Sequence, residues 1–155
     1  LEMVHTPGHT MGSLCVYYRE AGILFTGDTI LGIGSTSVNP DQGDMGAYVE
    51  SLRKLLRYDT RLICPGHDGP IDTPGAKIQQ QIDHRMDRED RILALLDGGR
   101  RTIDDLFRSI YPKLDRRLHE AARGQIHAHL IKLERDGAVS ASPDGGSAAG
   151  WDRLR

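Results

Sequence analysis

Three short segments in the first half of this 155-residue chain set histidine or aspartate beside glycine: His5-Thr6-Pro7-Gly8-His9-Thr10, Phe25-Thr26-Gly27-Asp28-Thr29 and Cys64-Pro65-Gly66-His67-Asp68. Imidazole and carboxylate together suit zinc and related divalent ions. Glycine lets the backbone turn sharply and come close to a bound group. An aspartate lying between two histidine segments could bridge a pair of ions. Two ions about 3.5–4 Å apart form a hydrolytic centre that activates water and polarises the bond to be cut. The sequence offers no Ser-His-Asp arrangement and no nucleophilic cysteine that would act without metal.

Side chains on separate segments meet only if strands and loops bring them to one edge. Short apolar runs bounded by glycine or charge predict strands over residues 14–18, 23–26 and 62–64. Between the last two, Val49, Leu52, Leu55 and Leu56 recur at helical spacing over 47–57, with Asp44 as a possible cap. The first half therefore reads strand, strand, loop, helix, strand, and each motif falls at or just past a strand end.

The pattern turns helical after Pro74. A long helix is expected over 76–96, stopping at Gly98-Gly99. Thr102 caps a short helix with Asp104 and Asp105 in its first turn and Leu106, Phe107 and Ile110 on its apolar face; Pro112 follows. A third helix over 118–136 stacks Ala122, Ile126, Leu130 and Leu133 in one stripe and stops at Gly137. A strand over 138–141, a turn over 143–150 and a returning strand over 151–154 complete three helices and a hairpin, the layout of a winged helix.

The net charge of −2 favours neither a nucleic-acid nor a membrane partner, and no apolar run is long enough to cross a bilayer. Cys15 and Cys64 lie far apart without close-spaced partners, which suits two small core residues in a reduced, cytoplasmic protein. The chain opens on Leu1 with no initiator methionine, as expected of a piece of a longer protein.

Taken in order, His-Thr-Pro-Gly-His-Thr, Thr-Gly-Asp-Thr and Pro-Gly-His resemble the third, fourth and fifth metal motifs of the metallo-β-lactamase superfamily. The resemblance implies two zinc ions, with His9 on the first, Asp28 bridging both and His67 on the second. His5 is then a strand or supporting residue. The superfamily's first motif, His-x-His-x-Asp-His, is not in the chain, and the resemblance places it upstream of Leu1. Further stretches are similar to the β-lactamase-like protein 2 family: Asp28-Thr29-Ile30-Leu31-Gly32 with Ser35-Thr36, Tyr48 to Leu56, Ala76-Lys77-Ile78-Gln79-Gln80, His84-Arg85, Leu118-His119-Glu120 and His129-Leu130. Members of that family end in a winged-helix-like domain. Its animal members are zinc-dependent endoribonucleases acting on single-stranded RNA, and its bacterial members are mostly described as metal-dependent hydrolases. Asp68 departs from the glycine that many superfamily members carry after the last histidine, and reads as a solvated side chain, with support of the neighbouring ligand as the alternative.

Other residues have plainer readings. His127 and His129 imitate a His-x-His pair, but in a helix residues two apart point about 200° away from each other, so they are not expected to share a metal. His84 and His119 read as structural or solvated. Ser35, Thr36 and Ser37 could line a substrate cleft or simply hold their own loop. Lys113, Arg116, Arg117, Arg123, Lys132 and Arg135 are diluted by Asp115, Glu120, Glu134 and Asp136, which predicts a solvated face.

The expected fold is α/β: residues 1–73 as the C-terminal half of a metallo-β-lactamase αββα sandwich, and 74–155 as a linker helix with a small winged-helix domain. The expected function is that of a zinc hydrolase fragment, acting through a metal-activated water on single-stranded RNA phosphodiesters or on small esters and thioesters, and inactive as this chain alone. A homodimer is a possible assembly, with no membrane partner. A winged-helix module binding nucleic acid or protein without catalysis is the alternative.

Overall fold

The computed structural model describes residues 1–142 and 150–154. It forms two compact units, Leu1–Arg85 and Met86–Arg155. In the first, β1 (Glu2–His5), β2 (Leu14–Tyr18), β3 (Ile23–Gly27) and β4 (Leu62–Pro65) make one sheet in chain order. β1–β2 and β2–β3 are antiparallel; β3–β4 is parallel, with α1 (Met45–Leu55) in the crossover. Asp44 caps α1, its Oδ1 accepting the Ala47 N–H at 2.9 Å. That cap starts the helix two residues earlier than apolar spacing alone predicts. A strand at β1 was implied only by the motif that follows it, since four residues are too few to show a period.

The strands alternate, and the alternation sorts the sheet into two faces. Val4, Cys15, Tyr17, Leu24 and Ile63 are buried on one, and α1 turns Tyr48, Val49, Leu52 and Leu55 inward. Tyr48 Oη donates to Thr29 O at 3.0 Å and Ser51 Oγ to Pro7 O at 2.8 Å, which ties α1 to the chain just beyond β3 and β1. Gly8 makes this approach possible: its φ is +147°, and a Cβ there would lie 2.3 Å from Tyr48 Cα. On the other face Met3, Val16, Phe25 and Cys64 stand in register across the four strands, with Met3 62% and Phe25 44% exposed. An open apolar sheet face of this kind is what the facing sheet of a sandwich covers.

The long helix α2 (Pro74–Leu96) opens on proline, which suits a first helical turn, and its residues fall in both units. The second unit adds β5 (Arg101–Thr102), α3 (Ile103–Ile110), a 3-10 turn (Arg116–Leu118), α4 (His119–Arg135), β6 (Val139–Ala141) and β7 (Gly150–Arg153). The wing is a three-stranded sheet in the order β5-β7-β6. The hairpin was expected; β5, two residues long, was not. The turn expected between the hairpin strands lies, over 143–149, outside the described residues. Thr102 and Asp105 form a reciprocal capping box at α3. Ile92, Leu96, Leu106, Phe107, Ile126, Leu130 and Trp151 belong to one core, so the stripe read from the sequence of α4 is buried. Among the described residues no helix is long and apolar enough to cross a membrane.

One polar cluster is built into this second core. His129, fully buried, lies 3.2 Å from Glu89 Oε1 through Nδ1, and Lys132 Nζ donates to Glu89 Oε2 at 2.8 Å and to Asp136 Oδ2 at 2.7 Å. Burial alone would push the Glu89 carboxyl up. The bonds from His129 and Lys132 outweigh it and hold the carboxyl below its ordinary value of 4.5. A carboxyl depressed in the folded state stabilises the fold above its unfolded pKa, and that contribution disappears as pH falls through the folded value. Glu89→Gln should therefore cost the second unit roughly 3 kcal/mol near neutrality, and its deficit should shrink on acidification. Urea denaturation from neutral to acid pH measures both; a deficit independent of pH would contradict the ionic reading.

Candidate metal centre

The three motifs end at one edge of the first sheet. Asp28 follows the last residue of β3, His67 lies two residues beyond β4, and His9 sits in the turn after β1. β3 and β4 are paired, with Gly27 opposite Pro65, so Asp28 and His67 emerge side by side. Asp28 is the meeting point. Its Oδ2 lies 4.0 Å from His9 Nε2 and its Oδ1 lies 3.3 Å from His67 Nε2. Both separations are wider than ordinary hydrogen bonds. All three side chains reach solvent, at 31% exposure for His9, 45% for Asp28 and 71% for His67.

The ring of His9 is oriented from behind. Its Nδ1 is 2.7 Å from Ser37 O. A carbonyl only accepts, so Nδ1 carries a proton, and in the neutral form of the ring Nε2 then offers its lone pair toward the Asp28 carboxylate. Two acceptors facing each other across 4.0 Å call for a donor or a cation between them. Histidine metal ligands commonly spend their other ring nitrogen on a carbonyl in this way. The set His9, Asp28, His67 therefore has the chemistry of a divalent-metal site. It is an incomplete one, since among the described residues no three His, Cys, Asp or Glu side chains are drawn together tightly enough to hold an ion as they stand.

Neighbouring residues fix the loop carrying Asp28. Thr36 Oγ1 donates to Asp28 O at 2.8 Å and lies 3.1 Å from Thr29 O. Of the three residues 35–37, Thr36 and Ser37 hold the loop, while Ser35 lines a cleft of about 280 Å³ with Gly34, Lys77, Gln80, Gln81 and His84. A side chain at Gly66 would crowd this loop: a Cβ there would fall 2.9 Å from Asp28 Oδ1 and 3.1 Å from Gly27 C. Asp68, expected to be merely solvated, accepts the Ile33 N–H at 2.9 Å and has a φ of +69°. Aspartate tolerates that conformation better than most residues.

His5 is exposed and spends Nε2 on Met11 O at 3.0 Å. His127 and His129 are both on α4; His129 is taken up by Glu89, and the His127 ring lies 6.3 Å from that of Trp151. His119 Nε2 bonds Leu114 O, and its ring packs edge-on against Phe107. Cys15 is buried beside Thr6, and burial pushes its thiol pKa up, which makes it a poor nucleophile. In the winged helix several cations are matched to acids: Arg117 to Asp115 at 2.9 Å, Arg123 to Asp104 at 2.6 Å and Lys132 to Glu89 at 2.8 Å.

Residues 1–67 match the metallo-beta-lactamase superfamily, and residues 102–151 match the beta-lactamase associated winged helix domain. The chain is 34% identical over 145 residues to a beta-lactamase-like protein 2 homolog of Drosophila melanogaster, which accounts for 92% of the chain and 48% of that protein. The chain carries a metallo-beta-lactamase superfamily segment joined to that family's associated winged helix domain. Within the superfamily it is also 38% identical over 105 residues to an atrochrysone carboxyl ACP thioesterase of Aspergillus fumigatus, covering 66% of the chain and 32% of the relative. Among solved structures, a metallo-beta-lactamase family protein from Thermus thermophilus superposes with a TM-score of 0.84 at 29% identity, over 99% of the chain and 49% of that protein. The chain thus spans about half the length of the beta-lactamase-like protein 2 homolog and of the superposed structure. Superfamily members are metal-dependent hydrolases in the main, and the α/β fold with a winged helix expected from the sequence is present.

The loop geometry yields a stability test. Asp68→Ala removes the Ile33 acceptor and leaves a less tolerant residue at positive φ, so it should lower the unfolding free energy by roughly 1–2 kcal/mol. Asp68→Asn keeps an acceptor oxygen and should stay within about 0.5 kcal/mol of the parent. Urea denaturation of both variants decides this; equal losses would show that the carboxylate charge matters, not the hydrogen bond.

Proposed function

We propose that this chain supplies part of the metal centre of a hydrolase that cleaves an ester or thioester, with His9, Asp28 and His67 as its ligands. The observation that carries this reading is the convergence of both imidazole Nε2 atoms on one carboxylate, 4.0 and 3.3 Å away. A divalent metal held there, zinc by the chemistry of the donors, would polarise the scissile carbonyl and lower the pKa of water. Asp28, with one oxygen toward each histidine, is placed to bridge two ions. His9 is held in the tautomer that leaves Nε2 available. Three side chains do not fill two sites of about four donors each, so further ligands come from outside these residues.

Two observations favour an acyl over an RNA substrate. A relative 38% identical to the chain is named as an acyl carrier protein thioesterase. The arginines of the winged helix that could hold a phosphate backbone include Arg117 and Arg123, each already paired with an aspartate. Strong phosphate binding rests on cations free to displace counterions. The 155-residue chain alone should bind zinc weakly and turn nothing over. Calorimetric titration should find one weak site lost in His9→Ala, Asp28→Ala and His67→Ala and retained in His127→Ala. Joined to a segment bearing His-x-His-x-Asp-His, the chain should hydrolyse an acyl thioester. RNA cleavage without thioester turnover, lost on replacing Arg116, Arg117 and Arg123 together, would replace this reading with the nuclease one.

A further inference from the structure

Helix α2 carries three long polar side chains at four-residue spacing, and all three bond the loop that leaves the metal centre. Lys77 Nζ donates to Gly32 O at 3.0 Å, Gln81 Nε2 to Gly34 O at 3.1 Å and Arg85 Nη2 to Thr36 O at 2.6 Å. The repeats match. Four helical residues rise about 6 Å, and two residues of extended chain advance about 6.6 Å. One face of the helix therefore reads every second carbonyl of the loop.

Arg85 is the most enclosed of the three, at 1% exposure. Its guanidinium also lies 5.1 Å from the centre of the Tyr48 ring, whose hydroxyl donates to Thr29 O. It thus touches the Asp28 loop from two sides. The residue it holds, Thr36, donates its hydroxyl to Asp28 O, and the next carbonyl, Ser37 O, takes the His9 Nδ1 proton. Burying a guanidinium is costly unless its donors are used. Here Nη2 bonds the carbonyl of Thr36, whose hydroxyl holds Asp28 O and whose neighbour Ser37 carries the carbonyl facing His9.

We propose that Arg85 is a positioning residue for the metal centre, setting His9 and Asp28 through the Thr36–Ser37 peptide. The inference rests on the reading of those two residues as ligands, but its main test does not require metal. Nitrogen-15 chemical shifts of the His9 ring, recorded without metal at a pH where the ring is neutral, report which nitrogen bears the proton. The parent chain should show the Nδ1–H form. Arg85→Met should release Ser37 and give a mixture with the Nε2–H form. Arg85→Lys, which keeps charge and most of the length but not the fork, should shift part of the way and guards against a variant that does not fold. Zinc affinity should fall about 10–100-fold in Arg85→Met, as for other residues that orient ligands. A folded Arg85→Met or Arg85→Lys with the parent's His9 tautomer would overturn the proposal, whatever its zinc affinity or melting temperature. A tautomer shift in a chain that binds no zinc would instead uphold the positioning role and remove the metal reading.

Discussion

Thr36 turns the chain back onto the end of β3 and shares its hydroxyl proton between Asp28 O at 2.8 Å and Thr29 O at 3.1 Å. Both carbonyls lie past the last residue of β3, where the ladder no longer satisfies them. A carbonyl cut off from water and left unpaired costs free energy comparable to a lost hydrogen bond, and Thr36 supplies a donor to both, beside the Tyr48 hydroxyl at Thr29 O. This fold-back places Ser37 where its carbonyl can take the His9 proton, and Asp28 where its carboxylate faces outward. From the other side Asp68 binds Ile33, and the missing side chain of Gly66 leaves room for Asp28 Oδ1. The centre is built from loops, but loops fixed at both ends to one sheet and one helix.

The two units handle charge differently. In the winged helix, buried Glu89 meets His129 and Lys132, and surface arginines meet aspartates, so acid and base are matched side by side. At the edge of the first sheet, a carboxylate faces two imidazoles at spacings too wide for ordinary hydrogen bonds, one of them held with its lone pair inward. The first arrangement serves folding. The second is short of positive charge, which a divalent cation would supply.

Much of this was legible in the chain itself, because the signals were of the kinds that survive without tertiary context. Asp44 and Thr102 announced helix starts, and Ala122, Ile126, Leu130 and Leu133 announced a buried stripe. The three histidine and aspartate motifs stood at strand ends because glycine and the strand runs marked those ends. β1 was implied only by its motif and β5 was missed, since four and two residues carry too little periodicity. The role of Asp68 was missed because its carboxylate bonds Ile33, 35 residues earlier. The α2 ladder was missed for a similar reason. Lys77, Gln81 and Arg85 are evenly spaced, but their partners are backbone carbonyls, which have no signature in sequence.

The central claim is that His9, Asp28 and His67 are metal ligands gathered around the Asp28 carboxylate. Anomalous X-ray diffraction from crystals of the chain soaked in zinc, recorded on both sides of the zinc absorption edge, tests it directly. The account predicts a peak beside the Asp28 carboxylate within about 2.0–2.2 Å of a histidine Nε2 and an Asp28 oxygen. Zinc bound instead at His127 or His119, with the edge beyond β3 and β4 empty, would contradict it.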